Sequence, residues 1–398
     1  MNDNIKRCID NIVWWIPFKK LRNSLREYLL YVATNHYEKN DSFKVINLNY
    51  CDHKKNIAIY FDAGIGDYLM FRPILPFIRD YYKYDKITFI GNDRFIDIVL
   101  SFDNEYINQY IYFEGNINNK NVTAKKFFSN INYDILISNY YLRGTWTDDF
   151  CKLINANDKI GSYGGLFVMS QRQRTDISAY TKVIYSDEND MFELYRNIHF
   201  FEKLFNHSID ISSISIELKE EIFKNINFNF YENYALIFIG ATNDDRKWNY
   251  LNFQKVCDHL YEKYNIISYI AGSMNDQQIA NKIIQNRQYI KSICGKYDIN
   301  SIFYIINKSK IVISNDSGGY HMAMTVGSNI IVISSGANFI RFINYPDKFK
   351  KYKIVSTPIP ENSFDNPYYE HYYNKDFLNL ISADTICELI DNKHSKYF

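Results

Sequence analysis

Three short segments of the sequence carry residue types that suit binding or activating a substrate. The first is Gly64-Ile65-Gly66-Asp67, which directly follows the apolar run 56–62. Glycines at this point allow a tight turn and a close approach of the backbone to a ligand. The pattern is compatible with two alternative roles for Asp67. Asp67 is either an acidic residue favoured by the dipole at a helix start, or a general base that takes a proton from an attacking hydroxyl.

The second segment follows the apolar run 234–240 and contains a hydroxyl group and two adjacent cations. Arg246 and Lys247 are suited to neutralising a diphosphate, and Thr242 to donating a hydrogen bond to it. The alternative is a solvated polar loop in which Asp244 and Asp245 pair with the two cations. The pattern alone leaves both interpretations open.

The third segment lies between an apolar run and a helix of small and apolar residues. Ser317 and Gly318 would place free backbone N–H groups at a helix N-terminus, which favours anions. His321 either touches a phosphate or sugar oxygen or is a buried histidine with a protein partner. Asp316 either fixes sugar hydroxyls or caps the helix.

Several other kinds of site are disfavoured. Leu69 stands where the dinucleotide-binding fingerprint needs its third glycine, and no Gly-Lys-Ser/Thr follows for a phosphate-binding loop of the Walker type. The six cysteines form no CxxC or Cys/His cluster, and the adjacent acidic pairs lack a metal-binding layout, so we predict no metal site. The only residue that favours a nicotinamide oxidoreductase is Asp93, which follows the second predicted strand.

Strands alternate with helices through most of the chain, which predicts an α/β protein with two tandem parallel sheets. Helices are predicted near 66–82, 191–205, 250–263, 275–287, 298–307, 317–326 and 384–390. The predicted strands are Asn56–Asp62, Lys86–Gly91, Tyr133–Ser138, Tyr234–Gly240, Ile266–Ala271, Ile311–Ser314 and Asn329–Ser334. Ligands of such sheets bind beyond the carboxyl ends of the strands, so we expect the site in a cleft between the two domains.

Taken together, the three segments resemble the heptosyltransferases of glycosyltransferase family 9. The resemblance rests on Gly66-Asp67 after the first strand, and on Thr242 with an acidic pair, Arg246 and Trp248. Its most specific part is Asp-Ser-Gly-x-x-His, formed by residues 316–321. The similarity covers roughly residues 56 to 345.

The resemblance implies a GT-B architecture of two facing Rossmann-like domains. It implies inverting, metal-independent transfer of a sugar from a nucleotide-activated donor, without a cofactor. By analogy, Asp67 is the catalytic base, and Gly64 and Gly66 form the turn beside the acceptor. The residues implied to hold the donor are Thr242, Arg246, Lys247, Asp316, Ser317, Gly318 and His321.

The expected reaction is transfer of a heptose or related sugar from an ADP- or GDP-linked donor to a capsule or lipopolysaccharide acceptor. Arg246 stands where the family usually has lysine, and Gly336-Ala337-Asn338 replaces a Gly-Pro-Thr-like turn. A loosely matching ribose contact is Asp276. Three alternatives stay open: another nucleotide sugar, a protein acceptor, and a non-catalytic relative that binds nucleotide sugars.

The overall charge argues against nucleic acid as a partner, although one segment of the chain is locally basic. The 398 residues carry a net charge of +1, which argues against a nucleic-acid binder. No apolar run is long enough to cross a bilayer, and no signal-peptide pattern is present. Residues 5–32, however, are basic and contain Trp14 and Trp15, as amphipathic helices on an anionic membrane do. A helical pair packed on the protein surface is the alternative.

These patterns predict a cytoplasmic protein, attached peripherally to the inner membrane through residues 1–50 if the first interpretation holds. The predicted organisation is listed by residue range: an N-terminal amphipathic helical segment (1–52), an acceptor domain (53–190), a connecting segment (191–230), a nucleotide-sugar domain (231–372), and a C-terminal helix and tail (373–398).

Overall fold

The computed structural model describes nine stretches of the chain. They are residues 43–49, 53–114, 121–141, 143–165, 174–185, 191–218, 233–349, 355–356 and 375–392. The basic helices predicted between residues 5 and 32 lie outside the described residues. The membrane prediction is therefore not tested by the fold.

The first sheet has seven strands, and its central strands are apolar runs buried on both faces, as is typical of parallel sheets. Its strands are β1 (Lys44–Asn47), β2 (Asn56–Phe61), β3 (Lys86–Asn92), β4 (Gln109–Phe113), β5 (Asn132–Ser138), β6 (Asn155–Ser162) and β7 (Lys182–Ile184). Their order is β1-β4-β3-β2-β5-β6-β7. All pairs are parallel except the edge pair of β1 and β4, which is antiparallel.

The second sheet has six parallel strands in the order β10-β9-β8-β11-β12-β13. The strands are β8 (Tyr234–Phe238), β9 (Ile267–Ala271), β10 (Ile290–Ser292), β11 (Ile311–Asn315), β12 (Ile330–Ser334) and β13 (Val355–Ser356). Because β8 and β11 are central neighbours, the second and third chemistry-bearing segments leave the sheet side by side.

Helices connect the strands. In chain order they are α1 (Ile65–Phe71), α2 (Leu75–Tyr81), α3 (Ile96–Ile98), α4 (Asn121–Phe128), α5 (Thr145–Leu153), α6 (Glu193–Phe205), α7 (Tyr250–Tyr264), α8 (Gln277–Ile284), α9 (Ile299–Lys308), α10 (Gly318–Val326), α11 (Lys375–Asn379) and α12 (Ala383–Asp391). Among the described residues, no helix is both long and apolar enough to span a membrane.

The residues group into two compact units by their contacts. Unit 1 comprises Met1–Ala63, Ile74–Asp187 and His199–Ile209, and unit 2 comprises Gly64–Pro73, Glu188–Ile198 and Asp210–Phe398. Each unit contains one sheet. The predicted boundaries placed Asp67 in the domain 53–190, whereas α1 packs with unit 2.

Each unit has its own hydrophobic core. In unit 1, Tyr60, Phe128 and Phe150 are fully buried against the first sheet. In unit 2, Ile237 and Ile313 of neighbouring strands are buried beneath helices on one face of the second sheet. Apolar burial of this extent supplies the main driving force for folding each unit.

Two sequence-based predictions of secondary structure differ from the structure. The helix expected over 66–82 is divided into α1 and α2 by a turn at Arg72–Ile74, because Pro73 has no N–H group for a continuous helix. The segment 1–52 was expected to precede the first strand, yet it contains β1. Phe43 and Ile46 are buried there, which fixes this short edge strand on β4.

Candidate functional site

The three chemistry-bearing segments begin where parallel strands end. α1 follows β2, a turn at Asp244–Arg246 follows β8, and α10 follows β11. Within unit 2, α1 packs on α10. The structure therefore places the segment that contains Asp67 against the segment that contains His321. The sequence pattern alone did not predict this contact.

Gly66 allows this contact because it lacks a side chain. A Cβ atom at Gly66 would lie 3.0 Å from Nε2 of His321 and closer still to Cδ2. At Gly318, the nearest atom to such a Cβ would be Cβ of Ile65 at 3.7 Å, an ordinary contact. The imidazole of His321 thus rests directly on the backbone next to Asp67.

Asp67 lies in the first turn of α1 and is partly buried. Its Oδ2 accepts a hydrogen bond of 3.1 Å from the backbone N–H of Gly64. Burial raises the pKa of Asp67, the charge of Arg341 lowers it, and the charge of Glu193 raises it again. Both uses considered for Asp67 are compatible with this geometry, since it accepts the Gly64 N–H and since a carboxylate with a raised pKa is a stronger base.

His321 is a buried histidine with a protein partner. It is 4% exposed, and its Nδ1 lies 2.9 Å from the hydroxyl of Tyr345. Burial, followed by the nearby charge of Arg246, lowers the pKa of His321 to about 3. The imidazole is therefore neutral at physiological pH, so it can offer a hydrogen bond from its other nitrogen but no charge.

Arg246 forms an ion pair with Asp316 across the ends of β8 and β11. The Nη2–Oδ1 distance is 2.9 Å, and Asp316 is only 3% exposed. Burial raises the pKa of Asp316, and the charge of Arg246 opposes that rise. The carboxylate does not cap α10, because the capping position is Ser317.

Lys247 and Thr242 lie on the outer part of the same loop. Nζ of Lys247 is 2.7 Å from Oδ1 of Asp244, in an ion pair whose carboxylate is exposed. Thr242 is exposed as well. The alternative of a solvated loop with paired cations therefore describes Lys247, while Arg246 turns inward to Asp316.

The start of α10 presents backbone N–H groups at the end of β11. Ser317 has an extended backbone, and no hydrogen bond from its side chain caps the helix. The first amides of a helix have no partner within it, which makes this end attractive to an anion. Gly319 brings the helix close to β8, because a Cβ there would lie 2.7 Å from Cδ1 of Phe238.

Asp276, the loosely matched ribose contact, lies where β8 and β9 end. Its Oδ2 accepts hydrogen bonds from the N–H and hydroxyl of Ser273 at 2.8 and 2.7 Å. A Cβ added at Gly240 or Gly272 would come within 2.7 Å of that oxygen. The two glycines therefore make room for this carboxylate at the sheet edge.

Asn315 anchors the loop that carries Arg246, a role that the sequence did not predict. Asn315 is fully buried, its Oδ1 accepts from the N–H of Trp248 at 3.1 Å, and its Nδ2 donates to the carbonyl of Ile239 at 2.7 Å. The indole N–H of Trp248 donates to the carbonyl of Ile381 at 2.9 Å. A buried amide at the end of an apolar strand is the sequence signal for this role.

Three further residues were also missed: Glu193 and Arg341, whose charges act on Asp67, and Tyr345, which is bonded to His321. They come from distant parts of the chain, and no local pattern marks them. Within the stretches that the structure describes, no group of three or more His, Cys, Asp or Glu side chains is arranged to hold a metal ion.

Comparison with solved structures establishes the fold. A family 9 glycosyl transferase from Veillonella parvula DSM 2008 has 18% identity and a TM-score of 0.63, and the match covers 85% of this chain and 96% of that one. Heptosyltransferase WaaC of E. coli, solved with ADP, has 14% identity, a TM-score of 0.62, and coverage of 86% and 99%. ADP-heptose lps heptosyltransferase II of E. coli has 13% identity, a TM-score of 0.63, and coverage of 85% and 98%. The predicted α/β fold of GT-B type is confirmed.

The sequence itself gives a family match and no match to a curated protein. Residues 167–348 match the model of glycosyltransferase family 9 (heptosyltransferase). This stretch includes the second and third chemistry-bearing segments, with Arg246, Asp316 and His321. Residues 167–348 are therefore similar to the heptosyltransferases of glycosyltransferase family 9, and the chain as a whole shares the fold of these enzymes.

Proposed function

We propose that this chain is a glycosyltransferase of family 9, which moves a heptose from a nucleoside-diphosphate donor to an acceptor glycan of capsule or lipopolysaccharide, with inversion and without a metal ion. The observation that carries the proposal is the contact of Gly66 with His321, which joins the Asp67 helix to the helix start at Ser317 in one unit.

In the proposed reaction, Asp67 takes the proton of an acceptor hydroxyl as its oxygen attacks the anomeric carbon. A new C–O bond forms, the bond from the anomeric carbon to the diphosphate oxygen breaks, and the nucleoside diphosphate leaves with the electron pair. Attack opposite the leaving group inverts the anomeric configuration. A positioned base of this kind contributes about 10²–10⁴-fold in rate.

The departing diphosphate gains negative charge, and the residues after β8 and β11 are suited to stabilising it. Arg246 supplies a fixed cation whose orientation is set by Asp316, and the backbone N–H groups at Gly318 point from the helix start. Lys247 and Thr242 are assigned to the same diphosphate. Neutral His321 would add a hydrogen bond to a phosphate or sugar oxygen.

The identity of the donor is inferred from relatives of the same fold. The WaaC structures were solved with ADP and with ADP-2-deoxy-2-fluoro heptose. We therefore place an ADP-linked heptose first and a GDP-linked sugar second. A thermal-shift series with ADP, GDP, UDP and CMP tests this order, and a chain stabilised by none of the four would contradict a nucleotide-sugar donor.

The catalytic assignment is tested by Asp67→Asn, which keeps the size of the side chain. We expect transfer to fall by about 10²–10⁴-fold, while ADP binding measured by calorimetry stays unchanged. Full transfer activity in the variant would remove Asp67 as the base. ADP binding without transfer to any glycan or protein acceptor, in the unmodified chain, would favour a non-catalytic relative instead.

We further propose that the enzyme works on the cytoplasmic face of the inner membrane, where residues 1–50 attach it. The support for this is the basic, tryptophan-containing sequence between residues 5 and 32. Such attachment would bring the enzyme to a lipid-linked acceptor.

A further inference from the structure

A buried ion pair in unit 2 has no part in the reaction proposed above. Nε of Arg341 lies 2.6 Å from Oε2 of Glu193, and these side chains are only 5% and 9% exposed. Arg196 adds a second cation, with its Nε 3.5 Å from the same oxygen. Charges are costly to bury, and a hydrophobic replacement is often as stable as a buried pair. This cluster therefore calls for an explanation other than stability.

The cluster is linked physically to the helix that carries Asp67. Glu193 begins α6, and one turn later Nδ2 of Asn197 donates to the carbonyl of Met70 in α1 at 3.4 Å. Arg341 also stacks on the ring of Phe342, 4.6 Å from the centroid. The ion pair thus fixes the start of α6 at the point where α6 holds α1.

The pair also dominates the charges that Asp67 meets. After burial, the largest influence on the pKa of Asp67 is the positive charge of Arg341, and the next is the negative charge of Glu193. The backbone N–H of Gly64 and the charge of Arg246 contribute less. His321, which packs against Gly66, is neutral.

We propose that Glu193 and Arg341 are positioning residues for Asp67: together they hold α1 in place and balance the charge around its carboxylate. The inference rests on the proposed function only in taking Asp67 as the base. Because the two charges act on Asp67 with opposite signs, intact pairing cancels much of their effect. Removing Glu193 leaves the charge of Arg341 without its partner, and removing Arg341 leaves Glu193 with only the more distant Arg196.

The two charges can be separated by variants of nearly equal shape. Glu193→Gln removes the negative charge, so we expect the pKa of Asp67 to fall by on the order of one pH unit. Arg341→Gln removes the positive charge, so we expect a rise of similar size. A purely structural role would move the pKa in the same direction for both variants, or not at all.

The measurement is a carbon-13 NMR titration of the full-length chain with labelled aspartate, in which the Asp67 signal is assigned by its loss in Asp67→Asn. It requires no substrate. Opposite shifts without sugar transfer would uphold this inference and overturn the proposed function. Sugar transfer by the unmodified chain, with the pKa of Asp67 unchanged in both variants, would uphold the proposed function and overturn this inference. Where transfer is measured, the acid limb of kcat/KM should follow the same opposite shifts.

Three controls keep the test decisive. Arg287→Gln breaks another ion pair of unit 2, to Asp258 at 2.5 Å, and should leave Asp67 unmoved. Arg341→Lys keeps the charge and should restore most of the unmodified pKa. The double variant Glu193→Gln with Arg341→Gln removes both charges and should bring the pKa back between those of the single variants. If the pKa of Asp67 in the double variant shifts as far as in either single variant, the two charges do not offset each other and the proposal is wrong.

Discussion

The substitution Gly66→Ala tests the contact on which the site is built. The added Cβ would lie 3.0 Å from Nε2 of His321 and closer still to Cδ2, whereas carbon atoms pack at about 3.5–4.0 Å. The ring would have to move by roughly 1 Å. It cannot do so freely, because it is buried and its Nδ1 is bonded to Tyr345. Overpacking of this kind costs about 1–3 kcal/mol of unfolding free energy.

The assay is urea denaturation of Gly66→Ala beside the matched variant Gly318→Ala. The control adds the same methyl group across the same helix contact, where its nearest neighbour is 3.7 Å away, so we expect a change below about 0.5 kcal/mol. Transfer should also fall, since a displacement of about 1 Å in a catalytic site can cost on the order of 10²-fold.

A double-mutant cycle identifies the partner in the clash. If His321 is the obstacle, Gly66→Ala should cost much less in a His321→Ala background, where the ring is absent. Equal costs of Gly66→Ala in both backgrounds would refute the packing argument. So would a Gly66→Ala variant as stable as the unmodified chain.

Three further predictions concern Arg246, His321 and residues 1–50. Arg246→Gln should weaken ADP binding and destabilise the fold by about 3–5 kcal/mol, because it leaves Asp316 buried without its cation. The control Lys247→Gln should cost at most about 1 kcal/mol of stability. Equal losses of stability for the two variants in urea denaturation would contradict this prediction. Because the folded-state pKa of His321 lies near 3 and the unfolded value near 6.5, the unfolded chain binds the proton first as the pH falls. The His321 contribution should thus reduce stability by about 2 kcal/mol between pH 7 and pH 5, a loss that His321→Gln should remove. Finally, liposomes of anionic lipid should sediment the full chain and not a chain lacking residues 1–50; equal partition would refute membrane attachment.

The central strands of both sheets could be predicted because their sequences are apolar and buried on both faces. Strand β8, for example, is entirely buried. The edges could not be predicted in this way. Strand β6 reads NANDKIGS and exposes much of its first half, so its place depends on backbone pairing with β5 rather than on a side-chain pattern. Strand β10 has only three residues, too few to show a period.

The candidate site could be predicted in its parts but not in its assembly. The order of parallel strands makes β8 and β11 neighbours, so a link between their loops was within reach of the sequence. The packing of α1 on α10 depends on the small size of Gly66 opposite a buried His321. A periodic sequence pattern cannot predict that the side chain of His321 will contact Gly66, because the two residues are far apart in the sequence.

The electrostatic character of the site is the part least accessible from sequence, because burial decides it. By residue type alone, His321 is a candidate cation for a phosphate, and Asp67 is an ordinary carboxylate. In the fold, burial leaves His321 neutral and raises the pKa of Asp67. The positive charge available to a departing diphosphate therefore comes from Arg246, Lys247 and the helix amides, and not from His321. The charge that acts most strongly on Asp67 comes from Arg341, whose own partner Glu193 lies 148 residues away in the chain.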